Sequence, residues 1–406
     1  MTSRKMNFSG PLKAILGSLA LMGILTVASP GKALALTGTA ANTVIGNTVY
    51  VDYQDAGNHQ QPQINASVDV TVALKSAAPT LIKPADQTIP SGTEVTYTYT
   101  ITNNSNGPET YNLTEANSPN DGNITPGSVT MPATITLGAT SVVSVSGTTI
   151  TVPSGTVNGI AGGNTVVIGS NTYSVSSVDT ANSTITVTDP GSTLAADATA
   201  GTQIGQQGTF DVKYTPVTTV NGDTFTDTIT ATSQDTAAST DNKTNTTTVT
   251  LAVLTVHKYV RNINATAACT GQTNASFPPV TTDTGLGAGS GTYCDAGVTG
   301  KPGETLEYLI IVSNTGDTDA HSVIIQDAEP AYTTKVADKI ALSAPAVTGA
   351  PGAFTSTGTD AVDGDFAKTS SGTVYIYGGT GGKDDGTGGT LPNGDSIYAA
   401  FRASIE

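Results

Sequence analysis

Gly92-Thr-Glu-Val-Thr-Tyr-Thr-Tyr-Thr-Ile-Thr-Asn103 returns 211 positions later as Gly303-Glu-Thr-Leu-Glu-Tyr-Leu-Ile-Ile-Val-Ser-Asn314. Val95 matches Leu306, Tyr97 matches Tyr308, Tyr99 matches Ile310 and Ile101 matches Val312. The apolar spacing is two, so each copy reads as a strand with one buried face. One strand cannot bury that face by itself, and a repeated strand predicts a repeated sandwich-like domain.

The chain on either side agrees. Charged residues are 12% of the 406, aromatics 5%, and there is no Trp. Thr and Val are abundant, with Gly and Asn at the breaks, which suits short strands and tight turns. The fold class read from this pattern is all-β: Ig-like β-sandwiches in tandem, with a small β-barrel-like insert in the first.

The first sandwich is expected over 78–256. It opens with the repeated strand and closes with a hairpin, Asp223 to Thr232 and Thr246 to Val256. Residues 141–204 do not fit that plan. Val142–Val145, Thr149–Val152, Thr165–Ile168, Tyr173–Val178 and Thr184–Thr188 are short strands separated by Gly- and Asn-rich turns. They read as a small β module in a loop, where insertions cost little entropy. The second sandwich is expected over 257–406. It ends on Ile397, Ala399, Phe401, Ala403 and Ile405, which alternate inward.

Residues 1–35 read as a bacterial secretory leader. Arg4 and Lys5 precede an apolar run, Ala14–Ala28, and cleavage is expected after Ala35 in Ala33-Leu34-Ala35. No later run approaches a membrane span, and no sorting tail is visible after Phe401. The expected location is secreted or at the cell surface. Past the leader, 12 basic residues face 32 acidic ones, so nucleic acid and anionic membranes are poor partners. In an exported chain, the two cysteines, Cys269 and Cys294, read as a disulfide closing a loop poor in apolar residues.

Pro302-Gly-Glu-Thr-Leu-Glu-Tyr-Leu-Ile-Ile-Val-Ser-Asn-Thr-Gly316, followed by Val323-Ile-Ile-Gln-Asp327 and Leu391-Pro-Asn-Gly394, resembles the bacterial "conserved repeat" domain of unknown function. That domain is an Ig-like sandwich of large surface and cell-wall proteins. The resemblance covers about 301–330 and 391–405, is weaker over 91–115 and 207–255, and does not reach 141–204. It implies an extracellular structural or adhesive role and brings no catalytic residues.

A search for chemistry finds little. His59, His257 and His321 are far apart, with no zinc-ligand spacing. No G-x-S-x-G or G-x-G-x-x-G occurs, and Gly382-Lys383 runs into Asp384 instead of Ser or Thr. The chain is read as not an enzyme and as needing no cofactor. Calcium is the one inorganic candidate. Asp360, Asp363, Asp365, Asp384 and Asp385 put carboxylates on Gly-rich loops, as oxygen-only coordination requires. Turn aspartates bonding their own backbone are the simpler reading.

The frame of the repeat points to assembly. Residues 36–77 hold a hairpin in which Asn47-Thr-Val-Tyr-Val-Asp-Tyr-Gln-Asp55 echoes Asp227-Thr-Ile-Thr-Ala-Thr-Ser-Gln-Asp235. The first sandwich thus has a closing hairpin, the second has none, and an orphan hairpin stands before both. Strands 43–74 of one copy are expected to complete the second sandwich of another, through Val44, Val49, Val51, Val68, Val70 and Val72. Three other expectations stand beside this one: a hairpin packed on the first domain, association with other surface proteins, and an adhesin binding glycans through 141–204 or 269–294.

Overall fold

The computed structural model describes residues 38–119, 128–265, 269, 278–347 and 353–406; the leader expected at 1–35 lies outside them. Nearly every element is a strand. The chain starts with a two-stranded hairpin, β1 (Val44–Val51) and β2 (Ile64–Thr71).

The first sandwich follows, with β3 (Thr80–Ile82), β4 (Gln87–Pro90), β5 (Val95–Thr102), β6 (Glu109–Pro119) and β7 (Thr134–Leu137). After an intervening module come β14 (Gln203–Tyr214), β15 (Asp223–Ser233) and β16 (Thr240–Thr250). One sheet runs β3-β5-β14 and the facing one β4-β16-β15-β6-β7. β15 shows why the sheet forms. Phe225, Ile229 and Ala231 alternate inward and are fully buried, while the threonines between them face out. They meet Tyr97, Tyr99, Ile101, Val212 and Tyr214 in one core.

The intervening module holds β8 (Ala139–Ser141), β9 (Ser144–Ser146), β10 (Thr149–Thr151), β11 (Thr165–Ile168), β12 (Asn171–Asp179), β13 (Thr184–Thr188) and the short helix α1 (Leu194–Asp197). It has its own core, including Ile150, Val166, Ile168, Ile185 and Leu194. It grows directly out of the sandwich. β14 has 12 residues, and its Gln207–Tyr214 part pairs with β5 while Ile204–Gln207 pairs with β11. One long strand thus belongs to both bodies.

The second sandwich begins after a three-residue link. Its strands are β17 (Leu254–Asn262), β18 (Val280–Thr282), β19 (Gly291–Tyr293), β20 (Thr305–Asn314), β21 (Ala320–Ala328) and β22 (Thr333–Ser343). Then come β23 (Ala346–Val347), β24 (Phe354–Gly358), β25 (Ala367–Ser370), β26 (Thr373–Tyr377), β27 (Gly389–Leu391) and β28 (Asp395–Ile405). The main sheet runs β17-β20-β28-β22-β24, with β23 also on β28. β21, with β25-β26 and β27, faces it across a core that includes Ile310, Val312, Ile325, Ile376 and Phe401.

The main sheet is buried on both faces, contrary to the one-faced reading of Ile397–Ile405. Tyr259, Leu309, Ile311, Tyr398 and Ala400 form a second core under Leu286 and Tyr293 of the cysteine loop. Leu309 and Ile311 stand where the first copy has the exposed Thr98 and the half-buried Thr100.

The link Leu251–Val253 is held tightly. Leu251 N–H donates to Asn221 Oδ1 at 2.7 Å, Asp317 N–H to the Leu251 carbonyl at 3.0 Å, and Thr315 N–H to the Val253 carbonyl at 2.8 Å.

Candidate assembly surfaces

The hairpin is anchored at its root and free beyond it. Ala40 and Ala41 are buried, and the Asn106 side chain accepts from Lys75 N–H at 2.7 Å while donating to the Thr39 and Ala73 carbonyls. From Val44↔Thr71 to Val51↔Ile64 the two strands pair, among the described residues, only with each other, and every residue in them is exposed on both faces. The turn is closed by Asp55, whose carboxylate accepts from the N–H groups of Gly57 and His59. These bonds, that of His59 N–H first, hold the Asp55 carboxyl below the ordinary range.

Cross-strand partners share a face, so Ile45, Val49, Val51, Val68 and Val70 line one side, between 46 and 63% exposed. Val72 continues that side and is half-buried at the root. Val44 points to the other side, because strand parity puts Ile45 in the row with Val49 and Val51. Such a row of exposed valines on a lone hairpin is unusual, since an isolated two-stranded ribbon is marginal in water.

The acidic loops divide. Asp363, Asp365 and Asp384 converge, with carboxylate oxygens within 4.8 Å of one another, and could hold a cation. Their oxygens are already engaged by turns. Asp384 is buried and accepts from Asp363 N–H at 2.6 Å and from Gly364 N–H; Asp365 accepts from Thr359 N–H at 2.7 Å and Ala367 N–H at 2.6 Å. Asp360 stands apart in an ion pair with Lys335. Burial pushes its carboxyl up, but Lys335 and Thr369 bring the net below the ordinary value. Asp385 closes its own turn onto Thr387 N–H at 2.8 Å.

Cys269 and Cys294 are joined, with Cα atoms 5.4 Å apart, and Cys294 also exchanges two backbone bonds with Val260. Beneath this loop lies a cluster that the spacing of residues did not announce. Glu307 is fully buried on β20 and accepts from Arg261 Nη2 at 2.9 Å, Arg402 Nε at 2.5 Å, Thr284 Oγ1 at 2.8 Å and the Tyr293 hydroxyl. Burial alone would raise its carboxyl; the bonds from Tyr293 and Arg402 and the charge of Arg261 leave it below the ordinary value. The only sequence sign was charge within apolar strands. The arrangement fixes the loop to the sheet. The three histidines sit on separate elements: His59 in the hairpin turn, His257 on β17 and His321 on β21.

No protein-family model matches the chain, and no curated protein sequence does. Among solved structures, the C-terminal domain of the AgI/II polypeptide BspA of Streptococcus agalactiae overlaps at a TM-score of 0.27 and 11% identity, covering 80% of this chain and 91% of that one. The C-terminal domain of the antigen I/II-family protein AspA of Streptococcus pyogenes gives 0.29 and 12%, covering 82% and 92%. The collagen adhesin of S. aureus gives 0.18 and 12%, covering 81% and 84%. Scores of this size assign neither a family nor an activity.

Proposed function

We propose that the chain is an exported, non-enzymatic structural protein of a bacterial surface or extracellular matrix, and that its copies join head to tail by strand complementation. The observation behind this is the hairpin. Residues 44–71 present apolar side chains and backbone edges to water, and a neighbour that takes them up removes both liabilities. A contact between unlike surfaces of identical subunits propagates without closing. The leader, the acidic surface and the lack of a catalytic motif agree with such a role.

Electron microscopy and light scattering of residues 36–406, beside a variant beginning at Ala78, test the proposal. Filaments from the first and monomers from the second are expected. Two monodisperse monomers with equal melting behaviour refute it.

A second reading, a glycan-binding adhesin, draws support from a cavity of about 310 Å³ at the hairpin root, between Thr39, Val72, Asn104, Ser141 and Gln203. Glycan-array binding lost on excising 141–204 would favour it.

A further inference from the structure

The first sandwich contains a template for the joint between copies. β15–β16, the hairpin that leads into the second sandwich, is built into the first. β1–β2 leads into the first sandwich in the same way. Asn106 and Asp317 are 211 positions apart, and each donates its N–H to the chain leaving a hairpin, at Lys75 O and Leu251 O. We infer, resting on the assembly reading above, that β1–β2 of one copy seats on the second sandwich of another in the register that β15–β16 takes on the first.

The receiving edge can be located. Asn103 donates to the carbonyls of Gly107 and Leu137, and Asn314 donates to those of Thr318 and Leu391. Glu109↔Leu137 on β6–β7 therefore corresponds to Ala320↔Leu391 on β21–β27. A bulge after Ala320 adds one residue, so Tyr111 and Leu113 correspond to the buried Val323 and Ile325. In β6, Leu113 N–H points to β7's side, bonding Ala133 O, and Thr110 O accepts from Gln234 N–H on β15's side. In β21, Val323 O and Glu329 N–H both bond the β26 chain, which therefore occupies β7's side. Over Ile324–Ala328, β21 pairs only with β26. The edge that β15 fills in the first sandwich is unpaired in the second, among the described residues.

The face beside it is uncovered too. Leu81 pairs with Ile101 and is 1% exposed, with β16 lying over it and Asp241 accepting its N–H; Val256 pairs with the equivalent Val312 and is 60% exposed. Tyr97 is buried with its hydroxyl on Thr246 O and Thr247 Oγ1 of β16, whereas Tyr308 is half-buried under Lys258.

The hairpins match pair for pair. Ile45↔Val70 corresponds to Phe225↔Thr247, and Asn47↔Val68 to Asp227↔Asn245. Val49 and Val51 fall on Ile229 and Ala231, both fully buried, and Val72 on Val249. The occupant is a second copy, not the chain's own hairpin. The hairpin root lies at the Asn103–Asn106 end of β5. The second sandwich starts from the other end, where Ser91 N–H bonds Thr250 O. The eight residues of β5 span on the order of 27 Å between them.

Thr230↔Thr114 predicts Tyr50 opposite Gln326 on the outer face. Copies carrying Tyr50→Cys are mixed with copies carrying Gln326→Cys, assembled and oxidised. A covalent dimer is expected, because directly opposed strand residues fit disulfide geometry. Ile324→Cys and Ala328→Cys partners should link far less. Assembly by light scattering with linkage at 324 or 328, or with none, overturns this register and leaves the assembly reading standing. Absence of assembly overturns both.

Discussion

Replacing Asp227 by Asn should stabilise the first sandwich, and more so as pH rises. Asp227 faces the core from β15, is fully buried, and neither carboxylate oxygen has a hydrogen-bond partner among the described residues. Burial, and secondarily the charge of Glu115, raise its pKa from 3.8 to about 7. Below 3.8 the carboxyl is protonated in the folded and unfolded chain alike, and costs nothing by titration. Between 3.8 and about 7 the unfolded chain releases the proton and the folded one keeps it, so stability falls as pH rises. Above about 7 the loss is complete. At about 1.4 kcal/mol per pH unit it amounts to roughly 4 kcal/mol. For a body of this size that is a melting shift of roughly 10 °C. Asn is neutral throughout and is the residue at the matching hairpin position, 47. Calorimetry of both proteins between about pH 4 and pH 8 should show the wild-type transition sinking towards neutrality and the variant lacking that decline. A gap between the two that stays constant across the range would refute the assignment of a buried, neutral carboxyl.

Glu307→Ala should lower the stability of the second sandwich by roughly 3–5 kcal/mol, since Arg261 and Arg402 are left buried without a counter-charge. Denaturation showing a loss under about 1 kcal/mol would mean that the cluster contributes little. Cys269→Ser should cost roughly 3 kcal/mol for a loop of this length, and wild-type protein in reductant should melt with the variant. Asp384→Ala strips the acceptor from two N–H groups and should cost roughly 1–3 kcal/mol, equally in calcium and in chelator. A calcium-dependent stabilisation of the wild type that vanishes in the variant would establish a cation site instead.

The tandem plan was legible because Tyr97/Tyr308 and Asn103/Asn314 carry both the alternation and the loop bonds that follow it. The N-terminal hairpin was legible for the same reason: Val49 and Val51 on β1, and Val68 and Val70 on β2, keep period two. Facing was not legible in the same way: the pairing register sets Val44 on the face opposite Ile45, Val49 and Val51. The second core was readable in principle, from Leu309 and Ile311 replacing Thr98 and Thr100. What hid it was the cover, a Gly- and Ser-rich loop whose Leu286 and Tyr293 do the packing. Glu307 was invisible because its partners, Arg261 and Arg402, are 46 and 95 positions away. Which aspartates converge also depends on loop closure, and no spacing rule separated Asp360 from Asp363.

The short link at Leu251–Val253 has a mechanical consequence. The chain passes from β16 into β17 without slack, so tension applied along the molecule arrives lengthwise on strands whose ladder bonds lie across the pull. Bonds loaded in that direction share the force, whereas a hairpin pulled open from its ends gives them up one at a time. If copies join as proposed, every joint of the thread is held by the same kind of ladder, and its breaking strength grows with strand length. Such a thread would extend under load by whole sandwiches letting go, not by stretching linkers.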